Sequence, residues 1–191
     1  MSDALLQHIA RFIPVTKEEY AAMQPSFTAI TVTKKHNLLV EGKICTHKYF
    51  VVKGCLRLFF LNEKGVEQTI QFALENWWMT DYASFSTQKP SGFFIQAVEK
   101  TEVIAIDFAS QEKLLAQFPQ MERYFRLVLQ RAHAAAQFRL KILYELSKEE
   151  QYRQFTTLFP EFVQRIPQYL LASYLGFTPE YLSELRSRKL S

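Results

Sequence analysis

Apolar residues change their spacing near residue 110. Before that point, short runs rich in Val, Ile, Phe and Thr are broken by glycine. After it, no glycine occurs until Gly176 and apolar positions recur at helical intervals. The strand candidates are Thr28–Thr33, Asn37–Val40, Tyr49–Val52, Leu56–Leu61, Glu67–Leu74, Phe93–Val98 and Glu102–Asp107. In the fifth, Ile70, Phe72 and Leu74 alternate with Thr69, Gln71 and Ala73, the period of a strand with one wet face. Asn62–Gly65 reads as a hairpin turn. Short strands joined by turns in this number point to a sandwich or a small barrel.

Helix signals frame and follow the strands. Thr16 and Glu19 have capping-box spacing, which predicts a short helix over Lys17–Met23. Ser110 can cap a helix ending near Phe118, and Pro119 suits the first position of the next, which is predicted to run to Leu146. Positions 121, 125, 128, 132, 135, 139, 142 and 146 of that helix read Met, Phe, Val, Ala, Ala, Arg, Ile and Leu. Steps of four and three suit a two-helix contact, so Met121, Phe125, Val128, Ala132, Ala135 and Ile142 are expected to form a dimer seam. Small Ala132 and Ala135 would permit close approach. The competing reading is that this stripe packs on the barrel of its own chain. Ser147 and Glu150 make a second capping box, opening a helix at Lys148 that ends before Pro160.

The end of the chain, from Gln168 to Ser187, has helix-turn-helix spacing. Such a motif needs a small residue where the helices cross, glycine at the turn and apolar residues facing a shared core. Ala172, Gly176 and the set Leu171, Leu175, Phe177, Leu182 and Leu185 meet those needs. Thr178 as N-cap, Pro179 and Glu180 form a helix start. Glu180, Ser183, Glu184 and Ser187 share the outward face, and Arg186, Arg188 and Lys189 cluster at the end, suited to phosphate. With Tyr169, Thr178 and Pro179, these residues (Lys189 apart) are the expected DNA-facing set. The alternative is a helix hairpin that merely packs against something else.

Composition narrows the class. The chain has 191 residues, 48% of them apolar, with 17 Phe, which is ample for packed cores. Its formal charge is +4, and every excess cation lies after residue 110, an asymmetry that suits a polyanion. No apolar run approaches the roughly 18 residues of a membrane span. The start MSDALLQHIARF also lacks a basic stretch before an apolar one, so the expected compartment is the cytoplasm, without a membrane partner. Cys45 and Cys55 are too few for a four-thiolate metal site. A cupin-type metalloenzyme would need several converging His, but the barrel offers only His36 and His47, so no metal and no enzyme activity are expected.

The order of barrel, long helix and terminal helix-turn-helix resembles the Crp–Fnr family of bacterial transcription regulators. The segments LLVEGKICTHKYFVVKGCLRLFFLNEKGVEQTIQFALENWW and IPQYLLASYLGFTPEYLSELRSR carry the likeness. It implies an α+β fold in three parts: a cyclic-nucleotide-binding-type jelly-roll sensor (1–118), a long dimerisation helix (119–146) and a helix-turn-helix DNA-binding domain, winged or plain (147–191). Family members that bind cyclic AMP use a Gly-Glu pair and an Arg-Ser pair. The corresponding stretch, ENWWMTDYASFSTQKPSGFFIQAV, has no Gly-Glu pair, and Ser91-Gly92 stands where Arg-Ser would. No arginine occurs between Arg57 and Arg123. A buried phosphate without a guanidinium loses the paired bonds that offset its desolvation. Any effector is therefore expected to be an unknown small molecule other than a cyclic nucleotide, with Trp77, Trp78, Asp81, Tyr82 and Ser91 as its candidate pocket; the competing and favoured reading is that both indoles fill the barrel and its interface.

The resemblance further implies that Glu180 accepts a hydrogen bond from cytosine N4. Glu184, where the family often has a cation, implies a different operator. The EFVQRIP segment leaves little room for a full β-wing. The expected partners are a palindromic double-stranded operator, a second copy of the chain and RNA polymerase. The alternative is a partner-binding sensor with little or no DNA affinity.

Overall fold

The computed structural model describes residues 3–188, the side chain of Arg188 excepted. The chain divides into two compact units: residues up to Phe60 with Ile70–Leu129, and Leu61–Thr69 with the residues from Gln130 onward.

In the first unit, α1 (Asp3–Ala10) and α2 (Lys17–Met23) precede the strands. The capping box of α2 forms between Thr16 and Glu19, as its spacing predicts. The strands are β1 (Thr28–Val32), β2 (Asn37–Leu39), β3 (His47–Lys53), β4 (Leu56–Leu61), β5 (Glu67–Ala73), β6 (Trp78–Met79), β7 (Phe94–Ala97) and β8 (Thr101–Asp107), with α3 (Tyr82–Thr87) between β6 and β7. They form two four-stranded sheets, ordered β1-β8-β3-β6 and β2-β7-β4-β5.

The runs Tyr49–Val51 and Val103–Ile106 are apolar at every position because the sheet holding β3 and β8 is covered on both faces. Tyr49, Val51, Val103 and Ala105 point into the barrel core with Leu56, Leu58, Met79 and Ile95. Phe50, Ile104 and Ile106 point into a second core with Leu5 and Ile9 of α1, Tyr20 and Met23 of α2, Trp78, Leu114, Met121 and Tyr124. Alternation of side chains along a strand feeds two cores from one pair of strands.

Gly54 turns the chain between β3 and β4 at φ +107°, and a Cβ there would stand 2.7 Å from the Thr101 backbone. Helix α4 (Phe108–Gln117) is capped by Asp107, whose carboxylate accepts from Ser110 N–H at 2.9 Å and from the Ser110 hydroxyl at 2.6 Å. Ser110, the expected cap, is thus the third residue of the helix. An ionised carboxylate is the stronger acceptor for the helix start.

Helix α5 (Gln120–Glu145) begins in the first unit, where Met121 is fully buried in the second core and Phe125 and Val128 pack against it. This part of the expected dimer stripe serves the chain's own fold. Ala132 and Ile142 are half-buried and Ala135 is exposed. The exposed apolar residues of α5 include Leu129, Phe138, Leu140, Leu143 and Tyr144. Leu129, Leu140 and Leu143 are rotated about one residue from the expected stripe.

The second unit continues with α6 (Lys148–Leu158), α7 (Pro160–Arg165), α8 (Gln168–Leu175) and α9 (Pro179–Arg188). Ser147 and Glu150 form the capping box of α6. Among the described residues from Gln130 onward every element is helical, and α7 occupies the segment before the motif where a β-wing would lie. Its Phe162 joins Phe155, Phe159 and Tyr174 in an aromatic cluster.

Candidate nucleic-acid interface and sensor site

Helices α8 and α9 share a buried seam of Leu171, Ala172, Leu175, Phe177, Leu182 and Leu185. Gly176 adopts φ +73°, which lets Phe177 N–H reach back to Ala172 C=O at 2.8 Å and close α8. The Thr178 hydroxyl accepts from Tyr181 N–H at 3.2 Å and caps α9. Burying one face of α9 leaves Pro179, Glu180, Ser183, Glu184 and Ser187 lining a shallow open surface on the other. Ser187 spends its hydroxyl proton on Glu184 C=O at 2.8 Å, while both carboxylates are exposed. Tyr169, Thr178 and Arg186 are also exposed. The side chain of Arg188 and all of Lys189 lie outside the described residues.

Three residues of this unit carry roles that periodicity does not signal. Arg139, the one cation in the apolar stripe of α5, bonds Tyr174 C=O at 2.6 Å and lies 3.9 Å from the centre of its ring. It thereby satisfies a carbonyl at the C-terminal end of α8 and ties that helix to α5. Lys148 holds its ammonium 5.5 Å from the Tyr181 ring of α9. Ser173 bonds outside its own helix, to the Leu61–Thr69 segment.

In the first unit the five candidate effector residues separate. Trp78 opens β6, enters the second core and donates to Tyr124 Oη at 2.8 Å, whereas Trp77, which precedes the strand, is 50% exposed. The two indoles therefore do not line one pocket. Asp81 and Ser91 do come together. Asp81 caps α3, accepting from Ala83 N–H at 3.0 Å and Ser84 N–H at 3.3 Å through one oxygen, and from the Ser91 hydroxyl at 2.6 Å through the other. Tyr82 flanks Lys48 of β3, whose ammonium stands 5.7 Å from that ring, 4.7 Å from Phe85 and 5.2 Å from Phe125. Burial lowers the Lys48 ammonium to about 8, against the pull of Glu112 and Cys45.

Among the described residues no three His, Cys, Asp or Glu side chains gather as a metal site, and no helix is long and apolar enough to cross a membrane.

Residues 29–118 match the cyclic nucleotide-binding domain family. The search of curated proteins finds no relative of this chain. Solved structures share the fold over most of its length. FixK2 from Bradyrhizobium japonicum is 20% identical, with a TM-score of 0.70 over 85% of this chain and 83% of that one. The catabolite activator protein of Thermus thermophilus is 21% identical, with a TM-score of 0.59 over 93% and 84%. A chain from Eubacterium rectale attributed to the Crp/Fnr family of transcriptional regulators is 15% identical, with a TM-score of 0.72 over 94% and 88%. Residues 29–118 are thus similar to a cyclic nucleotide-binding domain, and the chain as a whole shares its fold with solved structures that include a Crp/Fnr-family transcription regulator.

Proposed function

We propose that this chain is a homodimeric transcription regulator that reads a palindromic operator in double-stranded DNA through α9. The observation that carries this reading is the exposed face Pro179, Glu180, Ser183, Glu184 and Ser187, presented on a helix whose opposite side is buried against α8. The fold of its structural neighbours supports the same function. Glu180 and Glu184 accept hydrogen bonds from cytosine N4 on successive turns of the reading helix, and Arg186 contacts phosphate. The dimer forms through the exposed α5 residues Leu129, Leu140 and Leu143, with Ala132 beside them. RNA polymerase is a further partner on promoters in the cytoplasm.

The barrel senses a small molecule other than a cyclic nucleotide. What supports this is the Asp81 carboxylate. It already holds the two free N–H groups at the start of α3 and the Ser91 hydroxyl. A cyclic phosphate at that end of α3 would face a carboxylate and would find a serine in place of a guanidinium, so the residues present do not fit it.

Selection of genomic fragments by the purified protein tests the reading, with an inverted repeat as the expected outcome. The competing reading, a sensor that binds a protein partner and not DNA, draws on the acidic reading face. It would be favoured by an absence of gel shifts even at low salt.

A further inference from the structure

Strand β5 is the outer strand of its sheet, so alternate residues aim their backbone N–H and C=O away from β4. Asn62 N–H bonds Val66 C=O at 3.0 Å across the hairpin. The alternation then turns Glu67 and Thr69 outward. On a bare edge those groups would bond to water. Here one side chain takes both. The Ser173 hydroxyl of α8 accepts from Thr69 N–H at 2.8 Å and donates to Glu67 C=O at 2.8 Å. The Gln68 amide donates to Ser173 C=O, and Thr69 is fully buried.

We propose that the β5 edge is a docking site for the first helix of the helix-turn-helix. Ser173 stands in for the missing strand neighbour and latches the head. The reading face stays exposed while the latch is closed, so the docked arrangement is the DNA-competent one. The contact is polar, and each neutral hydrogen bond biases such an equilibrium by only about two- to tenfold. A latch of this strength holds the head and still opens reversibly. Strands β4 and β5 lead from the hairpin to Leu58 and Ala73 of the barrel core. A change in that core therefore has a covalent route to α8.

Backbone amide exchange in the full chain tests the latch without DNA. In the wild type the Thr69 amide is protected despite lying on an edge. In Ser173→Ala it exchanges about two- to tenfold faster, the loss expected for one bond, while the Leu171 and Leu182 amides inside the head keep their rates. Should Ser173→Ala unfold the head, which those two amides would reveal, Gln68→Ala makes the same comparison from the hairpin side. A Thr69 amide that exchanges freely in the wild type, or at an unchanged rate in the variant, overturns the proposal. A second arm rests on the DNA reading above. Ser173→Ala should weaken binding to a two-site duplex about tenfold and leave a single half-site duplex unaffected. Unchanged two-site binding overturns the latch's role in DNA reading. If the wild type binds no DNA, that reading fails and amide exchange still decides the latch.

Discussion

At the scale of single residues, charge and backbone geometry yield the sharpest expectations. Glu180→Ala should relax preference at one base pair, at a cost of about 1–3 kcal/mol on the selected sequence and little on random duplex. Equal losses on both duplexes would remove its base-reading role. Arg186→Ala should weaken binding to all sequences alike and flatten the salt dependence.

Lys48 sets a pH dependence of stability. Its folded pKa, about 8, lies below the ordinary 10.5, so across that interval the unfolded chain holds the extra proton. The contribution of this group to stability therefore rises as pH rises from about 8 toward 10.5. Burial raises Tyr20, Tyr49, Tyr82, Tyr124 and Tyr174 above their ordinary 10, so the unfolded chain loses those protons first and their contribution falls as pH approaches 10. Urea unfolding at about pH 8 and about pH 9, below the tyrosine range, should show the rise in the wild type and its loss in Lys48→Met. A variant that keeps the wild-type slope would assign the effect elsewhere. Gly54→Ala combines a disfavoured φ with a collision against Thr101 backbone and should cost ~3 kcal/mol or more in the same assay.

At the scale of elements, the two ends of α5 differ in burial. Met121 anchors the first turn in the second core, so Met121→Ala should destabilise the fold by about 2–5 kcal/mol. Leu140, at 54% exposure, has no such role within the chain. Leu140→Glu should raise the dimer dissociation constant by roughly a hundredfold, near 3 kcal/mol. Sedimentation across a concentration series reads this, and an unchanged constant would move the dimer surface off this face.

The existence of α5 and its apolar stripe was legible from spacing alone. Which side of the stripe meets which neighbour was not, because Met, Phe and Val satisfy an internal core and a partner helix equally well. Arg139 was the visible anomaly in that stripe, and its partner is a backbone carbonyl, which leaves no trace in residue type. The helix-turn-helix was legible to the residue, since its glycine, its cap and its seam are all local requirements. The strands β3 and β8 were legible as short runs rich in Val, Ile and Phe, but that their sheet is covered on both faces was not, since no local signal marks what a neighbouring helix will cover. The Trp77–Trp78 pair misled because neighbours in sequence can part where a turn meets a strand, one indole entering the core and the other staying exposed. Asp107 displaced Ser110 as cap for a related reason: several residues at the strand end could serve, and the ionised one prevailed.

At the scale of the molecule, a barrel similar to cyclic nucleotide-binding domains precedes a helix-turn-helix whose exposed face is acidic. The acidic face does not argue against DNA when cations stand beside it, as Arg186 does on α9 and Lys148 does near Tyr181. It argues for a cytosine-bearing half-site. Two heads on one dimer would place their half-sites about one helical turn apart, on the order of 34 Å. The most direct measurement is selection of genomic DNA fragments by the full-length protein at low and moderate salt. The expected result is an enriched inverted repeat with cytosine in each half-site, bound by two chains per duplex. Fragments without a shared motif, or no retained DNA at low salt, would contradict it.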